Sequence, residues 1–350
     1  MDYTVIPKES PCWFTSIGMF IIDENRFAPS TKKEPIRDII GGGLTFAVIG
    51  ARMIAGKTNG PKVSGIVDKG SDFPDSVEEQ IKSWNTGLIF REDPTRLTTR
   101  GVNNYLESGV REFFYHAPKK RIEAIDILSY DRLLHSKSFH LVCTTERCEQ
   151  IIDIILSNLP KDSDQPFFLW EPTPDDCKPE NYEALCKLLP KIDVFTPNLI
   201  ESQNFIEKTD VEMETDKIKS FVDSTFLPYL TKKNSGIALR CGARGCYIRT
   251  PDVDVLLPAF HDNQELVIDP TGGGNSFCGG FMIGLLLSNL DWVAAAICAN
   301  LVSGCVVEHL GVPTLTGDDT WNGKTMQTRL HEYLAKFPEL KSYQSKIGWL

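Results

Sequence analysis

The chain has 350 residues, enough for one large or two ordinary domains with a sizeable core. Hydrophobic residues make up 41% and charged residues 24% of the sequence, a composition typical of soluble globular proteins. The 47 acidic residues outnumber the 37 basic ones, and the net charge of −10 argues against direct binding to the phosphate backbone of a nucleic acid. A nucleotide site is still compatible with this charge, because backbone amides and one or two basic side chains suffice to bind a phosphate.

Short apolar runs rich in β-forming residues alternate with helical patterns along most of the chain. The predicted strands span residues 13–22, 63–67, 139–143, 167–170, 194–196, 236–240 and 266–268. Between two of them, Ile151, Ile154, Ile155 and Leu159 recur at the spacing of one helix face. Repetition of strand, helix and strand predicts parallel crossovers. We therefore expect a doubly wound α/β fold with a mainly parallel sheet covered by helices on both faces.

Two segments interrupt this alternation. Residues 24–40 are polar and extended, and residues 98–115 resemble two strands joined at a Glu-Ser-Gly turn. Both could form a small β flap that stands off the main sheet, and the pattern equally allows two unrelated surface loops. Because the chain shows no low-complexity tract, repeat or separate linker, we expect residues 1–350 to form a single domain, closed by a helix at about residues 325–337.

Cysteine usage and the longest apolar segment bear on the compartment. The ten cysteines include no CxxC pair, and the first residues lack the basic start and apolar core of a signal peptide. We therefore expect reduced core thiols in a cytoplasmic protein, with the nucleus left open. Residues 292–307 are interrupted by Asn300 and Ser303, which favours a buried helix over a membrane span.

The stretch DPTGGGNSFCGG, residues 269–280, carries the strongest chemical signal. Its three consecutive glycines, Gly272, Gly273 and Gly274, lie between a predicted strand and a predicted helix. At such a junction the helix N-terminus offers backbone N–H groups to an anion, and glycine lets the backbone approach a phosphate closely. The same layout would suit a tight helix start packed against the sheet, and the residues alone leave both interpretations open.

This stretch resembles the C-terminal signature of the ribokinase-like (PfkB) family of sugar and nucleoside kinases, usually written DTxGAGDxFxGG. The matching residues are Asp269, Thr271, Gly272, Gly274, Phe277, Gly279 and Gly280. Other segments resemble the family's remaining motifs in order, from about residue 12 to about residue 312: GMFIID, GGGLTFAVIGARMIAG, KVSGIVDKGSDFP, DVFTPNLIES and LRCGARGCYI. The resemblance implies a ribokinase-like fold in which segments 24–40 and 98–115 form a β lid over the acceptor site, often also a dimer contact.

The resemblance also implies cofactors and a set of site residues. ATP and Mg²⁺ are the implied cofactors, and a monovalent cation is implied near Asp269. The implied positions are Asp23, Gly42 and Gly43 for the substrate, Asn198 and Glu201 for the metal and phosphates, Gly242 and Gly245 for the nucleotide, and Gly272, Gly273 and Gly274 for the anion hole.

Some of these residues have a second interpretation. Arg240 and Arg244 flank the nucleotide-side glycines and could contact phosphate, or they could be solvated surface side chains. Asn198 and Glu201 could simply cap a helix that follows Pro197. The family order favours a role for both at the metal and phosphates.

Two positions depart from the family pattern. Active members carry an aspartate as the general base that takes the proton from the acceptor hydroxyl, and this chain has Asn275 there. An amide cannot accept that proton, and general-base help is worth about 10²–10⁴ in rate. Members also carry an asparagine that contacts a substrate hydroxyl. In this chain that position is Ala47 or, with a shift of one residue, Phe46.

No other acid in the sequence replaces the missing base convincingly. Glu201 is assigned to the metal side and Asp269 to the cation, while Asp262 and Glu265 are predicted loop residues. We therefore favour a degenerate kinase that keeps the phosphate cradle and acts as a stabilising or assembly protein. The GGGN variant most resembles a fungal branch of the family associated with maintaining killer-virus double-stranded RNA particles.

The alternative is an active ATP-dependent phosphotransferase acting on a hydroxyl of a sugar, nucleoside or related small molecule. The expected partners are a nucleotide and either a small hydroxyl compound or a protein assembly. A homodimer through the lid is also expected, whereas neither direct nucleic-acid binding nor a membrane is.

Overall fold

The computed structural model describes residues 10–107, 111–207 and 214–350. Within these ranges the strands, in chain order, are β1 (Phe14–Ser16), β2 (Ile21–Phe27), β3 (Ile36–Gly41), β4 (Val63–Lys69), β5 (Ile89–Glu92), β6 (Arg100–Tyr105), β7 (Arg111–Tyr115), β8 (Ser138–Cys143), β9 (Phe167–Pro172), β10 (Val194–Phe195), β11 (Gly236–Arg240), β12 (Cys246–Arg249), β13 (Asp254–Leu257), β14 (Leu315–Gly317), β15 (Thr320–Trp321) and β16 (Lys324–Thr325). The α-helices are α1 (Gly43–Asn59), α2 (Asp75–Ser83), α3 (Ala124–Leu128), α4 (Asp131–Leu134), α5 (Thr145–Asn158), α6 (Tyr182–Leu188), α7 (Leu199–Asn204), α8 (Thr215–Thr225), α9 (Gly273–Leu287), α10 (Trp292–Val306) and α11 (Met326–Lys336).

The described strands build one central sheet in the order β13-β12-β11-β10-β9-β8-β1-β4-β5. From β5 to β11 every neighbouring pair is parallel, whereas the pairs β11–β12 and β12–β13 are antiparallel. Because the strands from β5 to β11 are parallel, their carboxyl ends meet at one edge, where open α/β sheets usually bind ligands. The predicted doubly wound, mainly parallel fold is confirmed.

Alternate residues of the central strands pack into two separate cores. In β9, Phe168 and Trp170 join the core beneath α3–α8, whereas Leu169 joins the core beneath α1, α2 and α9–α11. Successive strand side chains point to opposite faces. A strand that is apolar at every position therefore needs cover on both faces, and helices provide it.

A second, four-stranded sheet has the order β3-β2-β6-β7, and we call it the lid. Its central pair, β2 and β6, is parallel, and the two outer pairs are antiparallel. The lid strands come from the two segments that break the strand–helix alternation, residues 24–40 and 98–115, so these segments form a flap, not unrelated loops. The turn predicted between β6 and β7 falls partly on residues 108–110, which lie outside the described residues.

Helix α10 is buried along almost its whole length, as predicted for residues 292–307. Asp291 caps its N-terminus, because its Oδ1 accepts hydrogen bonds from the backbone N–H groups of Val293 and Ala294 at 3.1 and 2.9 Å. In the described part of the chain, no helix combines the length and apolar character needed to cross a membrane. The ten cysteines are unpaired, and all but Cys186 are buried.

The structure divides the strand predicted for residues 13–22. Its first part is β1 in the central sheet, and its last residues open β2 in the lid. The chain leaves the central sheet near Gly18, where a Cβ would lie 2.5 Å from the backbone nitrogen of Leu44. Only glycine allows this close passage beside the start of α1.

The strand predicted for residues 266–268 is wrong. Asn263 Oδ1 accepts a hydrogen bond from the backbone N–H of Glu265 at 3.0 Å, and this contact starts a short 3-10 helix. Leu266 and Ile268 are apolar but 49% and 64% exposed, so they join neither core. The chain therefore reaches α9 through a loop and not from a strand end.

Helix α5 confirms the helix predicted from the spacing of Ile151, Ile154, Ile155 and Leu159, but its buried face is rotated. Cys148, Ile151, Ile152 and Ile155 are buried, whereas Ile154 is 39% exposed. These four buried positions follow the i, i+3, i+4, i+7 pattern, and starting the pattern at position 148 instead of 151 would have found them.

Close packing of α1 against α9 sets the position of both helix N-termini, and Gly279 makes it possible. A Cβ at Gly279 would lie 1.9 Å from the carbonyl oxygen of Ala47. We expect Gly279→Ala to lower the free energy of unfolding by about 1–3 kcal/mol, because backbone atoms must move apart. Urea denaturation measures this change. Gly348→Ala, whose Cβ would meet nothing closer than 3.4 Å, is the control and should change stability by less than about 0.5 kcal/mol. Equal stability of both variants would contradict the packing.

Candidate active site

The start of α9 forms a glycine-lined cradle at the carboxyl edge of the central sheet. Gly272 caps the helix with a φ of +79°, and a Cβ there would lie 2.2 Å from the ring of Phe46. A Cβ at Gly274 would lie 2.0 Å from Arg240 Nη1. Among the described residues, no backbone acceptor pairs with the N–H groups of Gly274 and Asn275. Unpaired N–H groups at a helix N-terminus suit an anion.

Asn275 lies in the first turn of α9, where the N-termini of α1 and α9 meet. A Cβ at Gly43, the first residue of α1, would come within 3.5 Å of Asn275 Nδ2. The same Nδ2 donates a hydrogen bond to Glu171 Oε2 at 2.7 Å. Gly42, the residue before Gly43, caps α1 with a φ of +93°. Asn275 is thus held by a carboxylate that no sequence motif marks.

Glu171 lies near the carboxyl end of β9 and is the centre of a buried polar cluster. Its Oε1 pairs with Arg240 Nη1 at 2.7 Å. Its Oε2 accepts from Asn275, lies 3.3 Å from His140 Nε2, and accepts a weak hydrogen bond from the Cys278 thiol at 3.6 Å. Burial alone would raise the pKa of Glu171, but the charge of Arg240 and the bonds from His140 and Asn275 lower it to about 2. The carboxylate is therefore ionised and both of its oxygens are engaged.

His140, Glu171 and Cys278 could in principle bind a metal ion, because their ligand atoms lie within 4.8 Å of one another. We assign them to hydrogen bonding instead, since the Arg240 guanidinium already neutralises Glu171 at 2.7 Å. Burial and the charge of Glu171 raise the pKa of the Cys278 thiol, which keeps this thiol protonated. Ser16 Oγ, 2.9 Å from His140 Nδ1, completes the cluster.

Arg240 ends β11 and lies beneath the glycine cradle. Its Nε donates to the carbonyl oxygen of Thr196 at 3.2 Å, and its Nη2 donates to Glu201 Oε2 at 3.2 Å. With Glu171 on Nη1, the guanidinium is held on three sides, and its side chain is only 13% exposed. The solvated-surface interpretation is therefore wrong for Arg240. Arg244 is partly exposed and forms no ion pair with the described residues.

Asn198 and Glu201 form a capping box at the start of α7. Asn198 Oδ1 accepts from the Glu201 backbone N–H at 2.8 Å, and Glu201 Oε2 accepts from the Asn198 backbone N–H at 2.7 Å. The capping interpretation is therefore right. It does not remove Glu201 from the site, because the same carboxylate pairs with Arg240. Glu201 Oε1 makes no hydrogen bond within the described residues.

A cleft of about 290 Å³ extends from the cradle along the nucleotide side predicted from the sequence. Its polar end is formed by Asn198, Arg240 and the first glycines of α9. The rest of its wall is largely apolar and includes Ala259, Phe260, Val267, Phe277 and Val307. Gly242 and Gly245 lie on this wall with φ of +58° and +91°. A Cβ at Gly245 would lie 2.0 Å from the carbonyl oxygen of Leu257. An apolar cleft that ends in a cationic, N–H-rich cradle can hold a planar group joined to phosphates.

A second cavity lies under the lid, on the other side of the cradle, where the resemblance implies the acceptor site. The cavity there has a volume of about 10 Å³, room for roughly one water molecule. Phe46 lines it, whereas the carbonyl of Ala47 faces Gly279 on α9. Of the two candidate positions, Phe46 is therefore the one on the wall of this cavity. The polar side chains on its wall are Asp23, Asn25, Asn103, Tyr105, Asp269 and Thr271.

Asp269 lies in the loop before α9, not at a strand end as predicted. Its Oδ1 accepts a hydrogen bond from the backbone N–H of Thr271 at 2.9 Å, and its own N–H donates to the carbonyl of Val307 at 3.2 Å. Asp262 and Glu265 are exposed. Asp262 is a loop residue as predicted, whereas Glu265 lies in the short 3-10 helix Gln264–Leu266.

The depressed pKa of Glu171 predicts a contribution to acid unfolding. Because the folded-state pKa of about 2 is below the ordinary 4.5, the ionised carboxylate stabilises the fold above about pH 4.5. This contribution, about 3 kcal/mol, is lost as the pH falls towards 2. We expect the stability of Glu171→Gln to fall less steeply than that of the wild type over this range, as measured by urea denaturation at several pH values. If the free energy of unfolding fell equally steeply with pH in the two proteins, this contribution of Glu171 would be contradicted.

Comparison with known proteins places the chain in a family. Residues 115–316 match the pfkB family of carbohydrate kinases. An uncharacterized protein of Schizosaccharomyces pombe is 35% identical over 358 residues, covering 95% of this chain and 94% of that protein. Protein MAK32 of Saccharomyces cerevisiae is 36% identical over 338 residues, covering 91% of each chain. Both relatives are fungal, which agrees with the branch predicted from the GGGN variant.

The fold agrees with this placement. The structure of ribokinase from Giardia lamblia superposes with a TM-score of 0.68 at 17% sequence identity, covering 94% of this chain and all of that one. With the family match across residues 115–316 and two relatives that align over nearly the full length, the chain belongs to the pfkB family of carbohydrate kinases.

Proposed function

We propose that this protein is a degenerate kinase that retains nucleotide binding and acts as a stabilising or assembly factor. The observation that carries the proposal is the contact between Asn275 Nδ2 and Glu171 Oε2 at 2.7 Å. At the position of the family's general base, the side chain is an amide that donates a hydrogen bond to a buried carboxylate. It offers no group that could take a proton from an acceptor.

Glu171 does not supply the missing base. One of its oxygens faces Arg240, and the other accepts from Asn275 and Cys278. A carboxylate with a pKa lowered to about 2 is also a weak proton acceptor. Without a base, phosphoryl transfer would be slower by about 10²–10⁴, although positioning and charge stabilisation would persist.

The acceptor side supports the same proposal. Its cavity of about 10 Å³ is too small for a sugar, and the aromatic ring of Phe46 occupies the position of a polar substrate contact. The nucleotide side differs sharply, since its cleft of about 290 Å³ approaches the size of small-ligand sites. The two halves of the site thus favour binding over turnover.

Members of the family bind ATP and Mg²⁺, and the residues of this chain fit the nucleotide. The glycine cradle offers N–H groups at the start of α9, and a Cβ at Gly274 would fill it. For Mg²⁺, Glu201 Oε1 is the carboxylate oxygen left without a partner among the described residues, beside the Asn198 amide. That arrangement fits a hydrated ion, which would neutralise phosphate charge. A monovalent cation near Asp269 is also proposed, on the family resemblance.

The assembly role rests on the resemblance of the GGGN variant, and double-stranded RNA virus-like particles are the candidate assembly. The net charge of −10 favours contact with protein over contact with RNA. The lid offers one such surface, because Phe113 and Phe114 are 45% and 42% exposed, and a homodimer through the lid is part of the proposal. The unpaired thiols support a cytoplasmic location.

Calorimetry and turnover assays test the proposal. Wild-type protein should bind ADP and ATP, and Gly272→Val should abolish binding because the new side chain would overlap Phe46. ATP turnover against a panel of hydroxyl compounds should stay at the uncatalysed level. Absence of binding at millimolar nucleotide would contradict the retained cradle, and wild-type turnover that disappears in Gly272→Val would contradict the degenerate assignment.

The assembly role needs a separate test in a host that carries double-stranded RNA particles. Deletion of the protein should lower the yield of sedimentable particles, and Asn275→Ala should restore the yield because no catalysis is required. Failure of Asn275→Ala, when present at the wild-type level, would contradict a role independent of catalysis.

An active phosphotransferase is the second candidate. The observation in its favour is the set of polar side chains under the lid, where Asn25 and Asn103 are buried and Asn103 Nδ2 donates to Asn25 Oδ1 at 3.0 Å. Amide and carboxylate groups at this place suit a polyhydroxyl compound. The turnover panel above distinguishes the two candidates.

A further inference from the structure

The phosphate end of the cleft contains a fixed organic cation. The Arg240 guanidinium lies between two carboxylates, with Glu171 Oε1 2.7 Å from Nη1 and Glu201 Oε2 3.2 Å from Nη2. The side chains of both acids are 8% exposed. Two buried carboxylates at one site would normally require a metal ion or another cation between them. In this chain the guanidinium takes that place.

The contacts of Arg240 leave part of its donor capacity unused. A guanidinium has five N–H groups. Among the described residues, Thr196 and Glu201 accept hydrogen bonds from Nε and Nη2, and Glu171 forms an ion pair with Nη1. At least one N–H on Nη1 and one on Nη2 are therefore left for another acceptor. N–H groups on both Nη1 and Nη2 can donate to phosphate oxygens.

Arg240 also reaches the part of the cleft where phosphate would bind. Its Nη1 lies 2.0 Å from the point that a Cβ on Gly274 would occupy, and its side chain lines the nucleotide cleft together with Gly273 and Gly274. The backbone N–H groups of Gly274 and Asn275 lie in the same first turn of α9. A phosphate in the cradle would therefore meet a positive charge and a helix N-terminus together.

We infer that Arg240 supplies enough cationic charge that this cleft does not require a divalent metal ion to bind a nucleoside di- or triphosphate. The inference rests on the proposed nucleotide binding and concerns its metal dependence. Glu171 and Glu201 are positioning residues in this arrangement, because they hold the guanidinium beneath the cradle. The side chain is already held by three contacts, so little conformational entropy is lost when phosphate binds.

Calorimetry with ADP, in buffer with Mg²⁺ and in buffer with EDTA, tests the inference on wild-type protein. We expect the two dissociation constants to differ by less than about tenfold. A larger loss of affinity in EDTA would overturn the inference while leaving nucleotide binding intact. Absence of binding in both buffers would overturn the proposed function together with it.

Substitutions of Arg240 and of a control arginine test which side chain supplies the positive charge for the phosphates. Arg240→Met should weaken ADP binding in EDTA by more than about tenfold, and Arg240→Lys should weaken it less because the charge is kept. Arg249→Met is the matched control, since Arg249 lies on the neighbouring strand β12, pairs with Asp223 at 2.7 Å and has a side chain 15% exposed. Its ADP affinity should equal that of the wild type. Loss of affinity in Arg249→Met equal to that in Arg240→Met would count against Arg240.

Glu201→Gln gives an independent readout that does not depend on the folding of Arg240→Met. Glutamine keeps the capping box but removes one of the charges that compete for Arg240. We expect tighter ADP binding in EDTA, by about threefold or more. If Glu201 served instead as the support of an essential metal, the same substitution would weaken binding in Mg²⁺ buffer, and that result would contradict the inference.

Discussion

Asn275→Asp alone should not restore a working kinase, and it should destabilise the protein by about 2–3 kcal/mol at pH 7. The new carboxylate would lie about where Asn275 Nδ2 now lies, 2.7 Å from Glu171 Oε2. Two carboxylates at this distance cannot both ionise cheaply, so one of them would take a proton, and the loss of stability should shrink at lower pH. Urea denaturation at pH 5 and pH 7 measures both effects.

The control is Asn275→Ala, which removes the same hydrogen bond without adding a charge. Its cost should be about 1 kcal/mol, so the excess in Asn275→Asp reports repulsion by Glu171. If Asn275→Asp were as stable as Asn275→Ala and hydrolysed ATP, the contact with Glu171 would not exist in solution.

Exchanging the Asn275 amide and the Glu171 carboxylate should remove the repulsion between the two carboxylates. In the double variant Asn275→Asp with Glu171→Gln, the amide and the carboxylate change places and the net charge is conserved. We expect the double variant to recover most of the stability lost in Asn275→Asp, with a coupling free energy of about 1.5–3 kcal/mol. ATP hydrolysis, with water as the acceptor, should rise by about 10²-fold or more over the wild type. Additive stability changes in the double-mutant cycle would contradict the coupling.

Arg240→Met should be the most destabilising of these substitutions, with a loss of about 3–5 kcal/mol, because it leaves two buried carboxylates without their cation. The matched substitution Arg249→Met breaks the pair with Asp223, whose side chain is 31% exposed, and should cost less than about 1 kcal/mol. Urea denaturation of both variants measures the difference.

Neutralising the two acids should reverse much of this loss. The triple variant Arg240→Met, Glu171→Gln and Glu201→Gln has no buried charge at the site and should be more stable than Arg240→Met. If the triple variant were no more stable than the single one, loss of packing and not unpaired charge would explain the effect of Arg240.

The cradle could be predicted from the sequence because its rules are local. Gly272, Gly273 and Gly274 follow one another, and the helix they begin is apolar over the next residues. Backbone N–H groups at a helix start and the conformational freedom of glycine do not depend on distant residues. The strand–helix alternation is local in the same sense, and it predicted the central sheet.

The neighbours of Asn275 could not be predicted in this way. Glu171 is 104 residues before Asn275 and 31 residues after His140, and each of the three lies on a different element. In the sequence, Glu171 is a single acid at the end of an apolar run, a pattern shared by many surface residues. Only the pairing of β8 with β9, and the packing of α9 above them, brings the three side chains together.

Residues 266–268 show that a local pattern can also predict an element that does not form. An apolar run of strand-like composition remains a loop there, because Leu266 and Ile268 find no neighbouring strand or core. Position 46 is similar, since the sequence allowed either Ala47 or Phe46 to face the acceptor. The rotation of α1 about its axis, set by the contact between Ala47 and Gly279, turned Phe46 towards the cavity.

The sequence by itself determined the fold class, the glycine-lined start of α9 and the amide at the position of the family's base, because each depends on residue type and short spacing. The tertiary structure decided what that amide contacts, which cation lies beneath the cradle and how little room is left for an acceptor. Those properties depend on distances between side chains far apart in the chain. Such distances are set by strand order and helix packing, which short-range patterns do not encode.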